Sequence, residues 1–99
     1  MSRADADLLR DAADRLEALA VRTTGGDWRL AGLLATRPEV VAHAPDGGTE
    51  HVAEARARTA EWIAALSPTL APALVAWLRS ADGDPAAARF ARVLLDRLP

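Results

Sequence analysis

The sequence predicts an α+β fold made of a long N-terminal helix, a small antiparallel β meander of two to three strands, and three C-terminal helices. Three features point there. Apolar residues recur at three- and four-residue steps up to about Arg22, that period vanishes between Asp27 and Ala53, and it returns beyond Glu54. A chain of 99 residues, 51% of them apolar, suffices for one hydrophobic core, so a single domain spanning 1–99 is expected. Alanine supplies much of that apolar share, which leaves Leu, Val and the tryptophans Trp28, Trp62 and Trp77 as the heavy anchors expected in the core.

The first helix opens on Ser2 and Asp5 at capping-box spacing, with Asp5 and Asp7 placed to complement its dipole. Leu8, Ala12, Leu16 and Leu19, with Leu9, Ala13 and Ala20 beside them, make its apolar stripe; Arg10, Asp11, Asp14 and Glu17 fill the other face. Thr23-Thr24-Gly25-Gly26 ends it.

Over the next 27 residues, Gly32, Pro38, Pro45, Gly47 and Gly48 punctuate the chain and the β-branched pair Val40-Val41 appears, which reads as short strands. Glu39 to Ala44 and Thr49 to Ala53 flank the loop Pro45-Asp46-Gly47-Gly48 as a hairpin. Trp28 to Leu30, and then Leu33 to Ala35, are candidates for a further strand. Leu30-Ala31-Gly32-Leu33-Leu34 reads equally as strand or helical turn.

Beyond Glu54, Ala55, Thr59, Trp62, Ile63 and Leu66 share one helix side, opposed by Arg56, Arg58 and Glu61. Ser67-Pro68 ends that helix and can begin the next, whose stripe is Leu70, Leu74, Trp77, Leu78 and Ala81; Pro72 is tolerated if that helix starts after Leu70. Asp82-Gly83-Asp84-Pro85 then breaks the chain, with Asp84 as N-cap and Pro85 at the first position of a last helix carrying Ala87, Phe90, Ala91, Leu94, Leu95 and Leu98.

Composition narrows the functional classes. The absence of cysteine removes disulfides and thiolate chemistry. A formal net charge of −2 gives no electrostatic footprint for nucleic acid or an anionic membrane, so neither is expected as a partner. All basic residues are arginine, in keeping with GC-rich coding. The N-terminus lacks a charged and then apolar leader, and no stretch approaches the roughly 20 apolar residues that span a bilayer, so a cytoplasmic protein is expected.

His43 and His51, with Asp46, Glu50 and Glu54 nearby, form the one cluster that metal or acid–base chemistry could use, and hairpin register decides whether it assembles. Pairing Ala44 with Thr49 sets Val41 across from Val52, puts His43 opposite Glu50, and sends His51 to the other face; this is the expected register. A one-residue shift would bring the histidines together. Ordinary edge-strand histidines are the expectation, and no catalytic, cofactor-binding or metal site is assigned. The serines sit at helix caps or ends, and the Gly-Gly pairs lack the lysine and spacing of phosphate loops. Arg22, Arg29, Arg56 and Arg58 are interrupted by Glu54 and Glu61 without interleaved aromatics, as on a solvated face. Trp28, at the helix-to-sheet junction, is a lid on the core or an anchor for a partner.

Thr24-Gly25-Gly26-Asp27-Trp28, Ile63-Ala64-Ala65-Leu66-Ser67-Pro68, Val75-Ala76-Trp77-Leu78 and Ala91-Arg92-Val93-Leu94-Leu95 follow one another as in a group of small actinobacterial and actinophage proteins that the chain resembles. Those proteins carry a Thr-Pro-Gly-Pro-Trp-like turn and an Ile-Ala-x-x-x-Pro element; here Gly26 with its neighbour Gly25, and Asp27, stand for the two prolines. The resemblance implies the α+β layout and no particular activity. The expected function is therefore a noncatalytic protein-interaction or regulatory module that self-associates, with Trp28, His43 and His51 as the candidate partner surface. The alternative is a small-ligand or nucleic-acid binding protein using arginines around the sheet.

Overall fold

The computed structural model describes residues 3–32 and 38–98. Ser2 and the candidate strand from Leu33 to Ala35 lie outside the described residues. The fold is α+β: helix α1 (Arg3–Arg22), strands β1 (Asp27–Ala31), β2 (Glu39–His43) and β3 (Thr49–Glu54), then helices α2 (Ala57–Ala65), α3 (Ala71–Ser80) and α4 (Pro85–Arg97), with a 3₁₀ turn at Pro68–Leu70. The chain forms two compact units, one from Met1–Ala20 with Ala71–Pro99 and the other from Val21–Leu70.

The helical unit closes around Leu9, Ala12 and Ala13 of α1, Val75 and Leu78 of α3, Ala81, and Ala87 and Ala91 of α4. Leu8, Leu16, Phe90, Leu94 and Leu95 pack against this cluster. Alanines at the contact let helix axes approach closely, so the interior is short-range and dense, and Leu9 and Leu78 are its large fully buried side chains. Asp84 caps α4 by accepting from the Ala86 N–H at 2.9 Å, with Pro85 behind it, as the sequence predicts. Arg79 reaches Asp14 at 2.9 Å and Glu17 at 3.7 Å, and Arg92 reaches Asp5 at 3.2 Å, tying α3 and α4 to α1 across solvent-exposed edges.

The other unit is a three-stranded antiparallel meander ordered β1-β2-β3, with α2 laid across β1 and β2. Val40 and Ala42 are buried on the covered face, where Leu30 and Trp28 stand opposite them. Gly26 enters β1 with φ of 92°, and a Cβ there would lie 2.8 Å from the His43 carbonyl oxygen, so both conformation and space demand glycine.

The hairpin register differs from the expected one, for a visible reason. Gly47 takes a left-handed conformation (φ 90°), its N–H bonds to the Ala44 carbonyl at 3.0 Å, and the Ala44 N–H bonds to the Gly48 carbonyl at 2.8 Å. The loop therefore closes over Pro45-Asp46-Gly47 and pairs Ala44 with Gly48 rather than with Thr49. His43 faces Thr49, Ala42 faces Glu50 and Val41 faces His51. A bulge between Val40 and Val41 of the ladder absorbs Val52, after which Val40 meets Ala53 and Glu39 meets Glu54, the pairing expected for this end of the hairpin.

The apolar stripe of α2 is rotated from the expected one, whereas that of α3 keeps Leu78 and, just past its end, Ala81 inside as expected and differs at Leu70 and Trp77. α2 buries Ala60 and leaves Trp62 68% exposed and Leu66 52% exposed. α3 buries Ala71, Val75 and Leu78, and Trp77 sits at its rim with its ring centre 5.3 Å from that of Phe90, tilted by 57°. Trp62 and Trp77 are thus not the core anchors expected. In α2 close packing selects alanine at the contact and turns the bulky indole outward, and in α3 Val75 and Leu78 take the contact in place of Trp77. The span Ala57–Ser80 is also, by length and composition, a 24-residue run apolar enough to cross a membrane, which corrects the expectation that no stretch approaches that length. It is interrupted at Leu66, whose φ of −103° and ψ of 39° leave the helix, and at Ser67-Pro68.

Candidate functional site

The sheet's two faces have different chemistry. Alternation along the strands sets Trp28 and Leu30 of β1 and Val40 and Ala42 of β2 on the side with α2, and Asp27, Arg29, Glu39, Val41, His43, Thr49 and His51 on the other. Trp28 is half-buried, and its indole N–H donates to the Thr24 carbonyl at 3.0 Å, clasping the start of β1 to the turn that ends α1. On the open face Arg29 pairs with Asp27 at 2.7 Å, and His51 Nδ1 lies 2.6 Å from Glu39 Oε2.

The three residues singled out from sequence are therefore not gathered into one surface. His43 and His51 share the open face as diagonal neighbours, correcting the expectation that they point to opposite faces, whereas Trp28 belongs to the other face. Among the described residues, no three His, Asp or Glu side chains cluster closely enough to hold a metal ion. Glu39, which sequence reasoning left aside, is the actual partner of His51. Its opportunity to pair arises only because the loop closes early and places His51 opposite Val41, one diagonal step from Glu39.

Concave surface adds little. A depression of about 250 Å³ in the helical unit is bordered by Arg10 and Arg79, whose guanidinium groups are already engaged by Asp7 and Asp14. One of about 240 Å³ beside the hairpin loop is bordered by Asp46 and Glu50 and by backbone. Both fall below the roughly 300–1,000 Å³ usual for small-molecule sites.

The exposed apolar surface is more pronounced. In α2, Trp62 lies about 200° around the helix from Ala60, which places it away from the sheet, and Leu66 continues the same line one turn later. Arg58 precedes Trp62 by one turn, and Glu61 is its neighbour. Leu70, in the 3₁₀ turn, is 37% exposed. The signal for this strip is present in sequence as a tryptophan preceded within one turn by Arg58 and Glu61, although the helical period assigns it to the core. The chain matches no family model, no curated protein and no solved structure.

Proposed function

We propose that this protein is a noncatalytic interaction module, regulatory in role, that self-associates and works in the cytoplasm. The observation that carries the reading is Trp62: an indole 68% exposed, with Leu66 52% exposed one helical turn away, is the kind of surface that protein contacts use. Val93 on α4, 57% exposed, gives the helical unit a smaller apolar outcrop of its own. The resemblance of segments 24–28 and 63–68 to small actinobacterial and actinophage proteins is kept as part of this proposal, and the balanced charge favours a protein partner over a polyanion.

Sedimentation velocity of the whole chain over micromolar to near-millimolar concentration tests the reading. The expected result is a weight-average sedimentation coefficient that climbs with concentration toward that of a dimer. A single monomeric species across the range rejects self-association.

A further inference from the structure

We infer that the second copy docks on the outward face of α2, crossing it antiparallel so that Arg58 of each chain meets Glu61 of the other beneath the two Trp62 rings. This rests on the self-association reading and specifies its interface. The buried side of α2 is settled by Ala60, which is fully enclosed, and by the packing of this helix on β1 and β2. The opposite side presents Arg58, Trp62 and Leu66 in one line at i, i+4 spacing, with Glu61 beside it.

Charge complementarity argues for a second copy as the occupant. Arg10, Arg29, Arg79 and Arg92 each hold a carboxylate of their own chain, while some other arginines, Arg56 and Arg58 among them, hold none among the described residues. Arg58 and Glu61, though three residues apart on one helix, are joined to no ion-pair partner among the described residues. A face with one unpaired charge of each sign is neutral as a whole and selects against a strongly acidic or basic partner. Under a two-fold axis it is complementary to itself, because antiparallel crossing near Ala60 sets residue 58 beside residue 61 of the other copy. In the same geometry each Trp62 covers the aliphatic stem of Arg58 from the second copy, excluding water from the ion pairs and adding cation–π attraction. A nine-residue helix is only about 14 Å long, so this contact falls short of the roughly 1,200 Å² of a stable specific interface, and the dimer is a weak one.

The test is sedimentation equilibrium of the full chain and exposed-site variants, each checked for folding by far-UV circular dichroism. Arg58→Glu and Glu61→Arg alone each place like charges across the axis and should weaken the dimer at least tenfold, about 1.4 kcal/mol. An equimolar mixture of those two variants should recover association as a heterodimer, and the double variant R58E/E61R should recover a homodimer near wild-type strength. Trp62→Ala should weaken association by a similar factor; if that variant folds poorly, the charge-reversal arms decide alone. If wild type dimerises and neither reversal nor the mixture changes anything, the α2 interface is wrong while self-association stands. A wild type that is monomeric throughout overturns both.

Discussion

The helical unit and the sheet unit use their apolar residues in opposite ways. Around α1, α3 and α4, leucines and alanines close a continuous cluster, and exposed ion pairs stitch the rim. In the sheet unit the buried set is thin, chiefly Val40, Ala42 and Ala60, while β3 is exposed or half-exposed along its length and the largest side chain of α2 faces out. Burial of apolar area is what stabilises a fold, so one unit concentrates stability and the other offers surface. The largest expected effect follows. Leu78→Ala removes a fully buried side chain from the helical cluster and should lower unfolding free energy by about 2–5 kcal/mol in urea denaturation, by the lost burial and the cavity left behind. A loss below about 1 kcal/mol would break the comparison, because it would mean that this cluster is loosely packed.

The sheet unit depends on backbone geometry more than on volume, and its glycines expose that. Gly26→Ala meets both a left-handed φ and the His43 carbonyl 2.8 Å away, and should cost about 2–3 kcal/mol. Gly47→Ala meets the same conformational demand in open space and should cost about 1 kcal/mol. Equal losses in thermal melts of the two variants would show that crowding at the entry to β1 is relieved by movement of β2.

How much of this was legible depended on whether charges marked the outside of each element. In α1 the acidic and basic residues Arg10, Asp11, Asp14 and Glu17 define the solvent face, and in α4 Arg89, Arg92 and Asp96 do the same, so their apolar stripes were read close to where they lie. Between Ala57 and Ser80 the charged residues are Arg58, Glu61 and Arg79, too few to orient a helix. There the period is compatible with several rotations, and bulk alone favours Trp62 and Trp77 as the inside residues, where the structure buries Ala60 in α2 and Val75 and Leu78 in α3. Register failed for a different reason. Pro45-Asp46-Gly47-Gly48 announces a turn but does not say whether Gly48 belongs to the loop or the strand. The bulge at Val52 then restores the expected pairing at one end only. Trp28, His43 and His51 were located in the right element, but their faces followed from the register.

A cap provides a smaller test in the helical unit. Asp84→Ala removes the side-chain acceptor of the Ala86 N–H and should cost about 1 kcal/mol, whereas Asp84→Asn, which keeps an acceptor oxygen, should retain most of it. If both variants lose the same amount, the contribution comes from carboxylate charge at the helix end rather than from the hydrogen bond.

The smallest expected effect concerns the open face of the sheet. Glu39 and His51 are 2.6 Å apart, but their side chains remain about half-exposed, and water screens such a pair. A double-mutant cycle with Glu39→Gln and His51→Ala should return a coupling below about 1 kcal/mol, shrinking as salt is added. Small coupling would mean that this face contributes little to holding the sheet unit together, so its residues are free to change without loss of fold. A salt-insensitive coupling above that value would instead make the pair structural, and would move the open face from the surface side of the comparison to the stability side.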